Sequence, residues 1–274
     1  MEYPDYFNKR LNVPAGYYIT INSRFFKDVV PKLSSGEISD FIFLACNCNF
    51  GYCVSHSGSS IPMQSGKIKS AICDTRSARL NHLVKEGLIS FGKGDRCYIS
   101  NKYVFLGGNM DKNKREFSDG IRIYKEYYNQ FYKNCSSAER KTLGTIYRLI
   151  PYLNRKWNVI TEQNNTPLCE LSEIQPCRRE RVVELMGYKA GNTSLYIKKL
   201  TGLTISADGN SYRAVIHGVR NKGSPGGFYV NPYLAYYGYN DIEHPLNITV
   251  KTSSGERKGY LIETETGNIP LPTE

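Results

Sequence analysis

Apolar positions along this chain recur at two spacings, and the order of the spacings itself recurs. Residues 17–22, YYITIN, alternate as a strand does, with successive side chains on opposite faces. The next periodic segment, SSGEISDFIFLAC, changes to helical spacing: Ile38, Phe41, Ile42 and Ala45 share one face. Ser34 or Ser35 stands where a helix cap belongs and Glu37 in the first turn, the pattern of a capping box. A short β-prone run, FGYCVS (50–55), separates this helix from SGKIKSAICDTRSARLNHLVKEGLI, which reads as two helices broken near Asp74–Ser77. In the second of them Leu80, Leu83 and Val84 are expected inward, and Arg79, Asn81, His82 and Lys85 outward. LISFGKGDRCYIS follows as two strands around a Gly-Lys-Gly-Asp turn. A helix, a strand, two helices and a basic hairpin in this order predict a winged helix.

The pattern then restarts. Residues 107–122, GGNMDKNKREFSDGIR, are glycine-rich, polar and charged, and read as a connection. YKEYYNQFY (124–132) reads as a helix packing an aromatic face. NCSSAERKTLGTIYRLIPYL repeats the Ser-Ser entry, with Leu143, Ile146, Leu149 and Ile150 as its apolar face, and KWNVIT (156–161) repeats the β-prone run. Two or three helices come next, with Gly187–Gly191 as the turn and Asn192–Leu203 as the counterpart of the earlier second helix. LTIS, an ADGN turn, SYRAVIHGV and FYVNP make a longer wing. Both wings close on the same cadence, CYISNKYVFLG (97–107) and GFYVNPYLAYYG (227–238), an aromatic strand, an Asn, a second apolar run and a glycine. Pro232 has no N–H for a sheet ladder, so the second closing strand is expected to end at Asn231. A last hairpin pairs ITVKT with GYLIET around SSGER, and the final residues read as loose. The expectation is an α+β chain with two tandem winged-helix domains, residues 1–110 and 123–240, a linker at 111–122, and a hairpin with a tail at 241–274.

Composition narrows the partner. The 274 residues, 40% apolar, suffice for two domains with their own cores. No apolar run reaches the roughly 18 residues of a membrane span, and MEYPDYFNKR lacks the marks of a signal peptide. Eight cysteines at irregular spacing point to reduced thiols and a cytoplasmic location rather than a disulfide framework. Lysine and arginine exceed the acids by 36 − 25 = 11, which favours a polyanionic partner. No basic amphipathic helix with a continuous apolar face occurs, so double-stranded DNA is expected ahead of a membrane.

A helix in the major groove must present polar side chains to base edges while its apolar face holds the core. The first unit offers Thr75, Arg76, Ser77, Arg79, Asn81 and His82, and the second Lys189, Asn192, Thr193, Ser194, Tyr196 and Lys199. Lys93, Arg96, Arg213, Arg220 and Lys222 are the wing candidates for backbone or minor-groove contacts, and Arg178, Arg179 and Arg181 a cluster beside the groove. Each has a plainer reading as the solvated side of an amphipathic helix, and the arginine cluster as a surface paired with Glu180 and Glu184. Cys46, Cys48, Cys53 and His56 lie within eleven residues, yet they lack the CxxC knuckle of structural zinc sites, so ordinary buried cysteines are expected and no metal. The four histidines stand apart, no phosphate-binding glycine loop, GxSxG elbow or HExxH helix occurs, and no catalytic residue or cofactor is expected.

At ELMGYKAGNTSLYIKKLTGL followed by FYVNPYLAYYG, the chain resembles plasmid and phage replication initiators of the RepL type, best over about residues 136–238. The first unit follows the order of elements but has Ser-Asn-Lys where that motif has Asn-Pro. The resemblance implies a winged-helix protein that binds origin or operator DNA without a cofactor, and it brings no catalytic residue. The expected function is sequence-specific binding of double-stranded DNA as a replication initiator on origin repeats. A transcriptional regulator of a mobile element is the alternative, and a protein-interaction module a third reading. Expected partners are DNA and the replication or transcription machinery, for a monomer or homodimer.

Overall fold

The computed structural model describes residues 18–48, 59–72, 78–92, 96–106, 120–154, 158–163, 173–207, 210–218, 226–231, 234–236, 247–252 and 255–260. It is a mixture of helices and small antiparallel sheets, the α+β class. The chain divides into two compact units, Gly16–Gly144 and one holding Thr145–Glu274.

The first unit opens with β1 (Tyr18–Asn22) and continues into α1 (Ser35–Cys46). Ser34 accepts from the Glu37 backbone N–H while the Glu37 carboxylate accepts from that of Ser34, closing the capping box read from the sequence. From Gly36 to Cys46 every residue of α1 is buried, so this helix is the core of its unit rather than a surface element. After it come β2 (Ser59–Gln64), α2 (Ser65–Ala71), α3 (Ala78–Lys85), β3 (Ile89–Phe91) and β4 (Arg96–Ile99). The antiparallel sheet runs in the order β2-β4-β3, with Ile89 opposite Ile99 and Phe91 opposite Cys97. The β-prone 50–55 lies outside the described residues; the strand that leads into the helix pair is Ser59–Gln64.

A second sheet, β5-β1-β6, completes the unit, with β5 (Val104–Leu106) and β6 (Gly120–Tyr124) flanking β1. Here the expected linker is corrected. Gly120, Ile121 and Arg122 are not connection but strand, because Ile121 and Ile123 pack fully buried beside Ile19 and Ile21 over a five-residue pairing. α4 (Lys125–Asn134) then packs its aromatic face, Tyr128, Phe131 and Tyr132, into the core, with the Tyr132 ring stacked on Phe43 at 4.2 Å. Tyr128 donates to the Ser39 carbonyl, and Asn47 at the end of α1 donates to Asn129. Residues 120–134 therefore belong with the first unit, not with a domain starting at 123.

α5 (Ser137–Arg148) enters through a second capping box, Ser136 with Glu139. Glu139 is held below its usual carboxylate range by the Ser136 hydroxyl and backbone N–H. In the second unit the pattern of the first recurs. Residues 158–161 bridge to a strand through Val159 and Tyr229, followed by α6 (Arg179–Leu185) and α7 (Thr193–Gly202). The hairpin β7 (Thr204–Ala207) with β8 (Asn210–Arg213) is added before β9 (Val215–Gly218) and β10 (Gly227–Val230). β9 and β10 pair antiparallel, and 158–161 lies on the far side of β10, so the order again places the last strand in the middle. SYRAVIHGV is thus two strands, broken at Ala214, whose N–H bonds Leu203 and whose carbonyl accepts from Asn231.

The shared cadence has a physical basis. Asn231 N–H donates to the carbonyl just before β9, and Ser100 N–H donates to that of Leu88, just before β3. Ser100, not the neighbouring Asn101, is the counterpart of Asn231. β10 ends at Val230, one residue short of the expected Asn231. Asn158, at φ 54°, donates from its side chain to the Val230 and Ala235 carbonyls and ties the turn to the strand beside it. Tyr147 donates to the Leu234 carbonyl. In the tail, β11 (Asn247–Thr252) pairs with β12 (Gly255–Tyr260), four residues earlier than the expected GYLIET strand begins.

Candidate nucleic-acid interface

α3 and α7 occupy equivalent positions in their units, each the last helix before a hairpin. Their buried residues define the correspondence: Leu80 and Leu83 in α3 match Ile197 and Leu200 in α7. The stripe facing away from those residues contains Ala78, Asn81, His82 and Lys85 in α3, and Leu195, Lys198, Lys199 and Gly202 in α7.

In α3 two expected base readers, both only half-buried, are engaged by carboxylates of α1. The Arg79 guanidinium meets the fully buried Asp40 carboxylate at 2.6 Å and donates to the Ile72 carbonyl at 2.6 Å. Asp40 also accepts a short hydrogen bond from Tyr132, whose hydroxyl is pushed up by burial and by the adjacent carboxylate. Nδ1 of His82 sits 2.7 Å from Glu37, and Glu86 lies 3.8 Å from its other nitrogen. Arg79 and His82 thus tie α3 to α1, a correction of their outward assignment: the carboxylates of Asp40 and Glu37, buried on α1, require polar partners, and α3 supplies the Arg79 guanidinium and the His82 imidazole. Ala78, Asn81 and Lys85 remain exposed. Val84, expected inward, is 39% exposed.

α7 keeps its polar face in solvent. Lys189, Asn192, Ser194 and Lys199 are exposed, and Thr193 is half-buried. Tyr196 is half-buried too, stacked on Tyr188 with ring centroids 4.0 Å apart, and the Lys199 ammonium lies 5.9 Å from its centroid. Leu195, 49% exposed, and Lys198 belong to the same face and were absent from the sequence reading. Counting three, four and seven residues along from Leu195 finds the whole stripe. From Met186 through Ala207, between Glu184 and Asp208, the sequence holds Lys189, Lys198 and Lys199 and no acid.

The remaining candidates separate by partner. Arg213, half-buried, donates to the Thr201 carbonyl at 2.6 Å and so satisfies the C-terminal end of α7. Arg181 pairs with Glu184 at 3.2 Å, the plainer of its two readings. Arg178 and Arg179 are exposed at the start of α6. His217 of β9 is exposed as a residue but lays one side of its ring on Phe228, centroids 4.4 Å apart, and this partial desolvation, with the Arg179 charge, holds it below its usual pKa. Arg96 opens β4. Thr75, Arg76, Ser77, Lys93, Arg220 and Lys222 lie outside the described residues.

Nothing in the described chain gathers three metal-ligating side chains. Cys46 and Cys48 are buried, with Cys46 pushed up by burial and Cys48 pushed up to about 12 by the same cause; Cys53 and His56 lie outside the described residues. Among the described residues no helix is long and apolar enough to cross a membrane. Comparisons with protein-family models, with curated proteins and with solved structures give no match.

Proposed function

We propose that each unit is a winged helix and that the chain binds double-stranded DNA in a sequence-specific manner, with α7 as its principal reading helix. The observation that carries this reading is the exposed face of α7, where Lys198 and Lys199 flank Leu195 and Gly202 with Ser194 and Asn192 near its start and no acid among them. It is set on a helix that two buried side chains hold against the core. Supporting it is the recurrence along the chain of helix, strand, helix pair and hairpin, with the last strand central each time. A cationic helix face of this kind neutralises phosphates at its edges and meets base edges at its centre. Binding by such a face needs no cofactor, metal or catalytic residue. Replication initiation is the first role, from the resemblance to RepL-type initiators, and regulation of transcription the second. The same DNA chemistry serves both, so the position of the bound site relative to an origin or a promoter separates them.

The test is selection of bound sequences from a random duplex pool at moderate salt. The reading expects an enriched sequence; a pool that remains unenriched contradicts it.

A further inference from the structure

Resting on the DNA-binding reading, we propose that Leu195 is a specificity-determining residue that contacts the C5-methyl group of a thymine in the major groove. Leu195 lies at the middle of the outward stripe of α7, diametrically across from buried Ile197 and Leu200, and is 49% exposed. A leucine in that place leaves apolar surface in water, an unfavourable state that burial against another apolar group relieves.

The surroundings define which group. Lys198 and Lys199, one turn further on, stand to either side of the stripe, and Gly202, two turns on, carries no side chain and has nothing within 4 Å of where a Cβ would be. With its cations at the flanks and its apolar group between them, the face matches a major groove: phosphates bound both edges, and the apolar feature of the floor is the thymine methyl. A protein partner offering an apolar pocket fits less well, because the face around Leu195 is cationic and no acid occurs between Met186 and Ala207. In the first unit the position equivalent to Leu195 is Ala78.

The experiment uses the full chain and the duplex enriched from a random pool, synthesised with deoxyuridine replacing thymidine one position at a time. Deoxyuridine pairs as thymidine does but lacks the methyl. At one position the replacement weakens wild-type binding about fourfold, the worth of one buried methyl. The Leu195→Ala protein binds the two duplexes equally, with an unchanged melting temperature because the side chain is exposed. The proposal is overturned if no single replacement weakens the wild type, or if the replacement weakens Leu195→Ala to the same degree. A pool with no enriched sequence instead overturns the DNA-binding reading itself, so the two failures are distinguishable.

Discussion

Asp40 is fully buried yet faces the Arg79 cation and the Tyr132 hydroxyl. Breaking one side of such a buried group costs more than the group contributes, since the survivors keep their desolvation and lose their compensation. Arg79→Ala, which leaves the Asp40 carboxylate buried without its cation, is expected to destabilise the protein by about 3–5 kcal/mol in urea unfolding; a loss under about 1 kcal/mol would contradict the network. His217 provides a second check. Its folded pKa lies below the ordinary 6.5, because partial desolvation against Phe228 and the Arg179 charge disfavour the imidazolium. Stability from this group is complete above the unfolded value and is lost as pH falls through the folded one. The melting temperature of the wild type should thus drop more than that of His217→Gln between about pH 7 and about pH 5. Parallel curves for the two proteins would contradict the shift.

At the scale of elements, the junction of α1 and α5 sets a steric limit. A Cβ built on Gly144 would come within 1.7 Å of the Ser35 carbonyl oxygen, so only glycine allows the helix this close to the start of α1. Replacing a helical glycine by alanine is ordinarily favourable by about 1 kcal/mol. Gly144→Ala should instead lower stability by roughly 1–3 kcal/mol through overpacking, while Gly202→Ala on α7, with open space around it, should not; thermal unfolding distinguishes them. Much of this level was legible in the sequence. Both capping boxes follow from residues three apart, and local chemistry decides them, whereas the burial of α1 on every side exceeds the one apolar face its periodicity predicts. β6 was not legible, because its neighbours in sequence are glycine and charge while its reason to be a strand is β1, about a hundred residues away. The same holds for Arg79 and His82. Their partners Asp40 and Glu37 sit on another helix, and on α3 alone both look like solvent-facing polar groups. Local periodicity did contain the complete outward stripe of α7, including Leu195 and Lys198, and counting one turn in each direction recovers it.

For the whole molecule, the excess of 11 positive charges is not spread over the expected sites alike. Arg79, Arg181 and Arg213 are used within the fold, whereas Lys189, Lys198 and Lys199 extend into solvent on or beside one helix. On the DNA-binding proposal, the α7 face is expected to contribute phosphate contacts through these lysines, and α3 to add Asn81 and Lys85. The central claim, that the α7 face binds DNA, is tested most directly by titrating the selected duplex across a salt series. The proteins compared are the wild type and the double variant Lys198→Glu with Lys199→Glu. The account predicts that the variant folds with an unchanged melting temperature, loses most of its affinity and shows a log–log salt slope shallower by about 2, one for each phosphate contact removed. Equal affinity and equal slope for the two proteins would contradict it.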